Sequence, residues 1–398
     1  MRIRIIAALL ALLMLTPTLF ACGKNKEPAH WQTAEFESFN YNNVENAWYT
    51  QIEYAKDDTV FFWDYSADVF VSFFIFGGSG AGATTLNVFD GKRPAVFLRD
   101  NLRAKERILG DFAIVDSAAY YTTYQEMSDE ADDSQYLERI NFYRFDRVTN
   151  KKEKIHSVDA FGLYTWMVCG DKLAYTTYEE IAYNEDDDNT FILSVRDLTN
   201  EKTIDICEKV KSYSFAGGAL RYLTYEEKIF YLWEYDFDTE KSLQIGSFDG
   251  AMGTDDHLYE AVLYYNFTSD KVIITGEERD YTRFYIYDIE SNTLNDYNLP
   301  VDVDSCVAAE KCAYAVCVEL DEKTGEYTDS EDNGLYIIDL STGEYEKTSY
   351  KADGGTCIYV STDGEAYIEQ FDDNGDSSNR TVYRYDAKKD EATELFKK

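Results

Sequence analysis

The feature that most constrains the fold of this chain is a short strand-like run that ends in an aspartate and recurs seven times. Each run is followed by a polar cluster of the kind that forms turns. Successive aspartates are 56, 51, 52, 39, 51 and 47 residues apart, and they are Asp90, Asp146, Asp197, Asp249, Asp288, Asp339 and Asp386. Ankyrin and tetratricopeptide arrays are excluded, because their units are helical and about 33 to 34 residues long.

The order of elements around each aspartate is clearest near Asp339. Four strands are predicted there, at residues 304–309, 312–320, 334–339 and 344–350. Aspartate suits the end of the third strand, because its carboxylate can accept hydrogen bonds from backbone N–H groups of the following turn. Units of about 40 to 50 residues with four strands are typical of β-propeller blades. The sequence therefore predicts an all-β fold, a seven-bladed β-propeller of four-stranded antiparallel blades.

Two further expectations concern the ring of blades. The interval of 39 residues before Asp288 predicts that this blade has the shortest loops. The last unit contains all its own strands, so closing the ring does not require strand exchange, although residues 35–41 could add an edge strand beside the seventh blade.

The repeat resembles a known family. Residues 336–344 (YIIDLSTGE) and 285–289 (YIYDI) are similar to the strand–turn–strand segment of TolB-like propeller repeats, which occur in many exported bacterial proteins. The resemblance covers residues 45–398 and implies a propeller domain of uncharacterised function. Several units lack the Ser-Pro-Asp-Gly turn of such repeats, and residues 361–364 (STDG) come nearest to it.

The N-terminus has the pattern of an export signal. Arg2 and Arg4 precede an apolar run over residues 5–15, which is short for a membrane-spanning helix. The run leads to residues 19–22 (LFAC), which resemble the lipobox of bacterial lipoproteins, although Phe20 is bulkier than the usual residue. The resemblance implies a signal peptide over residues 1–21, a diacylglycerol thioether on Cys22 and a tether over residues 22–44. The alternative is an ordinary exported protein with a chance cysteine.

The charge balance limits the partners. Acidic residues number 75 against 38 basic ones, for a formal net charge of −37, which excludes electrostatic capture of nucleic acid. Acid concentrates in predicted loops between second and third strands, on the face where propellers usually meet ligands; these loops are residues 128–133, 184–189, 321–333 and 372–376. A glycan, cationic or protein ligand is expected there, and the chain is expected to be monomeric.

Metal and cofactor sites have little support. Asp372, Asn374 and Asp376 match the start of a calcium loop, but Ser377 replaces its turn glycine and Tyr383 its bidentate glutamate. A solvated acidic rim is favoured over a calcium site, and no cofactor is expected. No Cys-x-x-Cys pair occurs among the six scattered cysteines after Cys22, so buried free thiols are favoured. A disulfide between Cys306 and Cys312 across a hairpin remains open.

Catalytic motifs are weak as well. Residues 77–84 (GGSGAGAT) lack the lysine of a phosphate-binding loop, and the three histidines offer little material for a Ser-His-Asp triad. Packing between blades is favoured over sugar platforms for four tryptophans, which are Trp48, Trp63, Trp166 and Trp233.

Two classes of function remain. The first is a membrane-anchored extracytoplasmic lipoprotein, held on the outer face of the cell membrane through Cys22, that acts as a non-enzymatic binding or scaffold module. The second is a carboxylate-dependent hydrolase of glycans or peptides. An enzyme should gather two or three carboxylates with an arginine or aromatic side chain in one pocket, whereas a scaffold should spread its acid over loop tips.

Overall fold

The computed structural model describes fourteen segments of the chain, all within the compact unit Glu35–Lys398. The segments are residues 52–64, 85–99, 106–127, 137–180, 190–249, 262–278, 281–297, 299–301, 303–319, 321, 328–352, 355–361, 364–371 and 379–397. The signal peptide, Cys22, the tether and the strand predicted at residues 35–41 lie outside these residues. So do residues 77–84, the acidic loops at 128–133, 184–189 and 372–376, and residues 322–327 of the loop at 321–333.

Short apolar runs rich in β-branched and aromatic residues form the strands of seven blades. Blades 1 to 3 contain β1 (Ile52–Lys56), β2 (Thr59–Asp64), β3 (Thr85–Asp90), β4 (Ala95–Arg99); β5 (Arg107–Val115), β6 (Ala118–Glu126), β7 (Glu138–Asp146), β8 (Lys151–Ala160); β9 (Leu163–Cys169), β10 (Lys172–Glu180), β11 (Thr190–Asp197) and β12 (Thr203–Glu208). Blades 4 and 5 contain β13 (Val210–Ala216), β14 (Ala219–Glu226), β15 (Ile229–Asp236), β16 (Lys241–Asp249); β17 (Val262–Phe267), β18 (Lys271–Glu278), β19 (Tyr281–Asp288) and β20 (Thr293–Tyr297). Blades 6 and 7 contain β21 (Val303–Ala308), β22 (Cys312–Cys317), β23 (Gly334–Asp339), β24 (Tyr345–Lys347); β25 (Thr356–Val360), β26 (Ala366–Phe371), β27 (Arg380–Asp386) and β28 (Glu391–Lys397).

The chain is an all-β, seven-bladed propeller of four-stranded antiparallel blades, as predicted. Each blade is a sheet of four consecutive strands, from β1-β2-β3-β4 to β25-β26-β27-β28. The first strands of neighbouring blades contact one another around the ring, and β25 contacts β1. Among the described strands, none is shared between the first and last sheets, and blade 7 contains four strands of its own. Those residues contain no helix that is long and apolar enough to cross a membrane.

Apolar side chains fill the spaces between neighbouring blades. The first strands are therefore buried on both faces, and every residue of β25 is buried. Between the last and first blades, the ring of Phe396 stacks on Phe62 at 4.9 Å and contacts Phe89 at 4.7 Å. In the described residues, side-chain packing therefore contributes to the seam between β28 and blade 1.

Six of the seven predicted aspartates end the third strand of their blade, as expected. The carboxylate of Asp197 shows their role, since Oδ1 accepts hydrogen bonds from the backbone N–H groups of Thr199 at 2.8 Å and Asn200 at 3.3 Å. Equivalent bonds close the turns after the third strands of four other blades, at Asp146, Asp288, Asp339 and Asp386.

The assignment of Asp249 was wrong. Asp249 ends the fourth strand of blade 4, and the equivalent residue is Asp236, which accepts hydrogen bonds from the N–H groups of Asp238 and Thr239. The cause is the connection between β14 and β15, which is only Glu227 and Lys228, both with positive φ. The blade with the shortest loops is consequently blade 4 rather than the blade that contains Asp288.

Candidate functional site

The antiparallel order of each blade puts two kinds of connection on one face of the ring. Loops between second and third strands emerge there, beside the connections that enter the first strand of the next blade. We call this the loop face; Glu53 at the start of β1 and Trp63 near the end of β2 mark it. The opposite face, marked by Asp146 and Asp197, carries the turns between third and fourth strands, and we call it the turn face.

Two acidic side chains are buried in the described residues, Glu53 and Glu369, and both lie near the loop face. The carboxylate of Glu53 accepts a hydrogen bond from Trp63 Nε1 at 2.5 Å through Oε1. Its Oε2 accepts one from the backbone N–H of Phe112 at 3.0 Å. Because Phe112 belongs to β5, Glu53 links the first strands of blades 1 and 2.

The second buried carboxylate forms an ion pair without solvent contact. Glu369 Oε1 accepts from Arg380 Nη1 at 2.6 Å, and both side chains are 0% exposed. Arg380 Nη2 also donates to the backbone carbonyl of Trp63 at 2.5 Å, and its guanidinium lies 4.8 Å from the ring centre of Phe62. Arg380 thus joins blade 7 to blade 1. We call Glu53, Phe62, Trp63, Glu369 and Arg380 the seam cluster.

Strand register explains how these residues meet. Arg380 opens β27 and pairs with Phe371 of β26, and Glu369 lies two residues before Phe371 on the same face of the sheet. The ion pair is therefore a diagonal cross-strand contact. A buried charge whose partner is removed costs about 3–5 kcal/mol, so the pair makes closure of the ring depend on both residues.

The chemistry open to the seam cluster is limited by its burial. Catalysis by a carboxylate needs an oxygen within hydrogen-bond distance of a substrate proton. The oxygens of Glu53 are held by two N–H donors, and the Glu369–Arg380 pair has no exposed surface. The cluster contains the groups expected of an enzyme, which are two carboxylates, an arginine and an aromatic ring. Its burial and hydrogen bonds, however, are those of a structural core.

A second polar cluster lies in blade 2. The Oε1 atom of Glu106 accepts hydrogen bonds from the hydroxyls of Thr123 at 2.6 Å and Tyr143 at 2.7 Å. The ammonium of Lys152 lies 3.8 Å from the ring centre of Tyr143, which stacks on Tyr121 at 5.3 Å. Glu106 is only partly buried, in contrast to the carboxylates of the seam cluster.

The surroundings of Glu106 shift the pKa values of both Glu106 and Tyr143. Burial raises the pKa of Glu106, but the hydrogen bonds from Thr123 and Tyr143, together with Lys152 and Lys154, outweigh it and hold the pKa below its usual value. Burial and the hydrogen bond to Glu106 raise the pKa of Tyr143 to about 12. At neutral pH the pair is therefore a fixed carboxylate and a protonated phenol, without the matched pKa values of a general acid and base.

His156 is the histidine that the structure describes. Its Nε2 lies 3.1 Å from the hydroxyl of Tyr175, and its ring stacks on Phe142. Burial, with repulsion from Arg196, lowers the pKa of His156 to about 4. The imidazole is neutral at pH 7 and forms part of the packing between blades 2 and 3, which is consistent with the absence of a predicted triad.

The cysteines of the described blades are free thiols, as favoured by their spacing. The alternative disulfide was wrong, because Cys306 pairs with Ala315 while Cys312 pairs with Asp339 across a different strand boundary. Burial raises the pKa of Cys306, Cys317 is fully buried, and neither has the character of a reactive thiolate.

The tryptophans of the described residues serve packing. Trp63 and Trp166 are 2% and 1% exposed, which excludes them as sugar platforms. Trp233 packs against the core between blades 3 and 4 and donates from Nε1 to Thr224. Trp48 lies outside the described residues.

The described residues contain no group of three potential metal ligands. Asp372, Asn374 and Asp376 lie outside those residues, and so does Cys22. The seam cluster was missed in the sequence, because a lone Glu53 and a lone Arg380 at strand ends are indistinguishable from solvated charges. The one sequence signal for its burial is that Arg380 is the first residue of β27, next to the alternating residues of that strand.

No protein-family model matches the chain, and no curated protein sequence matches it either. Solved structures share its fold. The β-propeller domain of the trilobed protease from Pyrococcus furiosus, described as having an open velcro topology, is 14% identical with a TM-score of 0.53, over 86% of this chain and 95% of that one. The acylaminoacyl peptidase of Pyrococcus horikoshii is 12% identical with a TM-score of 0.53, over 89% of this chain. This chain spans about half of the peptidase, 54% of its length.

Proposed function

We propose that this chain is a lipid-anchored extracytoplasmic propeller that binds a ligand at its loop face without hydrolysing it. The observation that carries the proposal is the occupation of both buried carboxylates. In the described part of the chain, Glu53 is held by Trp63 and Phe112, and Glu369 by Arg380, so neither of these buried carboxylates is free to act on a substrate.

The ligand is expected to match the charge of the loop face. Acid is concentrated in four loops that join second to third strands, and a net charge of −37 attracts cationic groups over long distances. A cationic peptide segment, an amino-bearing glycan or a basic surface of another envelope protein has the required chemistry.

A hydrolase is the second candidate. The meeting of Glu53, Trp63, Glu369 and Arg380 at one seam supports it, and the structural neighbours include a peptidase and a domain of a protease. Identities of 12–14% support a shared fold without a shared activity, and the activity would require the seam cluster to open.

The anchor is tested by Cys22→Ala in the producing bacterium. We expect the variant to move from the membrane fraction to the soluble fraction, because lipid attachment is the proposed membrane contact. Cys169→Ala is the matched control, since Cys169 is a half-buried thiol in β9. Retention of exported Cys22→Ala in the membrane would refute the anchor.

Binding and hydrolysis are separated by one array experiment. The purified full chain is applied to arrays of cationic peptides and amino-bearing glycans, and the bound compounds are recovered and weighed by mass spectrometry. Compounds that are retained intact support the binding module. Cleaved products that disappear in Glu53→Gln or Glu369→Gln would establish the hydrolase instead.

A further inference from the structure

Two neighbouring turns of the turn face carry more basic than acidic residues, although the chain as a whole is acidic. In each blade the turn between third and fourth strands runs from the aspartate of the third strand to the second residue of the fourth. In blades 1 and 2 this turn carries two and three basic residues against a single aspartate. In blades 3 to 7 acidic residues outnumber basic ones in the same turn.

Four of the five basic side chains of these two turns are exposed, and Arg147 is buried. Lys92 and Arg93 are exposed in blade 1, and Lys151 and Lys152 are exposed in blade 2. Within the described residues, no carboxylate lies within ion-pair distance of Lys92, Arg93 or Lys151. Some basic side chains of other blades are paired with a carboxylate, for example Lys202 with Glu240 at 2.5 Å and Lys389 with Asp386 at 2.6 Å.

An apolar side chain stands at the tip of the second turn. Val148 is 67% exposed and lies between Arg147 and Lys151. Blades 1 and 2 pack together through Phe97 of β4 and Phe145 of β7, whose ring centres are 5.4 Å apart, so the two turns are neighbours on the rim. We call Lys92, Arg93, Val148, Lys151 and Lys152 the basic rim.

We propose that the basic rim docks on the anionic phospholipid headgroups of the membrane. The inference rests on the proposed function, because the lipid anchor brings the domain to that surface. Exposed cations beside an apolar tip match a headgroup layer, in which each basic residue strengthens attachment about fivefold.

Two further observations bear on the bilayer as the partner. The described chain begins at Ile52, at the loop-face end of β1 in blade 1 and thirty residues after Cys22. Thirty residues can span up to about 100 Å, which is ample to bring blade 1 to the surface. The acidic loops belong to the opposite face, and their repulsion by anionic lipid favours the same orientation.

The consequence is an orientation for the proposed ligand site. With the rim of blades 1 and 2 on the headgroups, the loop face is directed away from the bilayer. The net negative charge repels the membrane from the molecule as a whole. Docking then depends on the basic rim alone.

The test is lysine acetylation of the full chain on vesicles, followed by mass spectrometry of each lysine. The vesicles are phosphatidylcholine alone or phosphatidylcholine with one third phosphatidylglycerol, at about 0.1 M salt. We expect Lys92 and Lys151 to react at least about fivefold more slowly on the anionic vesicles, and 1 M salt to abolish the difference. Lys241 and Lys311, which are exposed in blades 4 and 6, should react equally on both.

Matched charge reversals complete the test. In Lys92→Glu/Arg93→Glu/Lys151→Glu, the remaining rim lysine, Lys152, should react at the same rate on the anionic and the neutral vesicles. In Lys241→Glu/Lys311→Glu/Lys351→Glu, which changes the net charge equally, protection of Lys92 and Lys151 should persist. Equal acetylation of the rim on both vesicles would overturn the proposal. Protection without vesicles that rises with protein concentration would also overturn it, by assigning the rim to a contact between copies of the chain.

The experiment distinguishes a failure of the proposed lipid anchor from a failure of the proposed docking by the basic rim. Retention on neutral vesicles reports the anchor alone, and it should be lost in Cys22→Ala. The difference in acetylation between anionic and neutral vesicles reports the rim, whether or not the anchor is present.

Discussion

At the scale of single residues, the closure of this propeller depends on polar side chains buried at the seam. Arg380 contacts three groups there, the carboxylate of Glu369, the carbonyl of Trp63 and the ring of Phe62. The described strands of the last and first sheets are not shared, and these contacts and the packing of Phe396 help to hold blade 7 to blade 1. A hydrophobic seam would have avoided the cost of desolvating two charges, so the pair specifies how the two blades meet.

Arg380→Met should destabilise the domain by about 3–5 kcal/mol, because it leaves the Glu369 carboxylate buried without a counter-ion. The free energy of unfolding is measured by chemical denaturation. Glu369→Leu/Arg380→Met should regain much of the loss, since it removes both charges. Arg384→Met is the control, because its ion pair with Asp58 is exposed and its loss should cost about 1 kcal/mol or less. A wild-type denaturation curve for Arg380→Met would contradict the structural role of the pair.

The pKa of His156 predicts a second effect at this scale. Burial lowers that pKa to about 4, against about 6.5 in an unfolded chain. Between these values the unfolded state binds the proton more strongly, so the free energy of unfolding falls as the pH falls from about 6.5 to about 4 and then levels off.

His156→Gln should remove this contribution, which is on the order of 2 kcal/mol after allowance for the partial exposure of the ring. The loss of stability between about pH 7 and pH 4.5 should be smaller in the variant than in the wild type, as measured by urea denaturation. Parallel pH dependence in the two proteins would show that His156 does not contribute.

At the scale of elements, the aspartate at the end of the third strand is a turn cap rather than a catalytic group. Its carboxylate satisfies backbone N–H groups that leave the strand ladder, and this fixes the turn into the fourth strand. Hydrogen bonds to the carboxylate favour its charged form, so the backbone and side-chain hydrogen bonds of Ser291 hold the pKa of Asp288 below its usual value, with a further contribution from Lys271.

Asp288→Ala should lower the free energy of unfolding by about 1–2 kcal/mol, because the N–H and hydroxyl of Ser291 lose their acceptor. Asp288→Asn keeps an acceptor oxygen and should lose less. Glu290→Ala in the same turn is the control and should leave the denaturation midpoint unchanged. A larger effect for Glu290→Ala than for Asp288→Ala would refute the capping role.

At the scale of the whole molecule, charge is distributed unevenly around a uniform ring. The net charge of −37 makes the domain repel anions at a distance, while the basic rim offers one local attraction. Crowded carboxylates also repel one another, and this repulsion opposes the folded state.

Divalent cations should therefore stabilise the domain without selectivity. Millimolar calcium should raise the thermal midpoint by a few degrees, and magnesium or added sodium chloride should reproduce part of the rise, because screening depends on ionic strength. Stabilisation by calcium alone at micromolar concentration would indicate a built site with six to eight oxygen ligands. Asp372 and Asp376 would then be the first residues to substitute.

The number, order and class of the elements were determined by the sequence. Strand-forming runs and turn residues act locally, so the recurrence of a strand, an aspartate and a turn was enough to predict seven blades of four strands. The assignment of Asp249 to the end of a third strand was wrong for the same reason. Asp236 and Asp249 both end a strand, and local pattern cannot tell a third strand from a fourth when the loop that normally precedes the third strand shrinks to Glu227 and Lys228.

The seam cluster and the basic rim were decided by the tertiary structure alone. Glu53 and Arg380 are more than three hundred residues apart in the sequence, and nothing local distinguishes them from the other charged residues of this chain. Their burial follows from closure of the ring, which brings the first and last blades into contact. The charge of a single turn becomes a surface only when two such turns are placed side by side, and the packing of blade 1 on blade 2 supplies that placement.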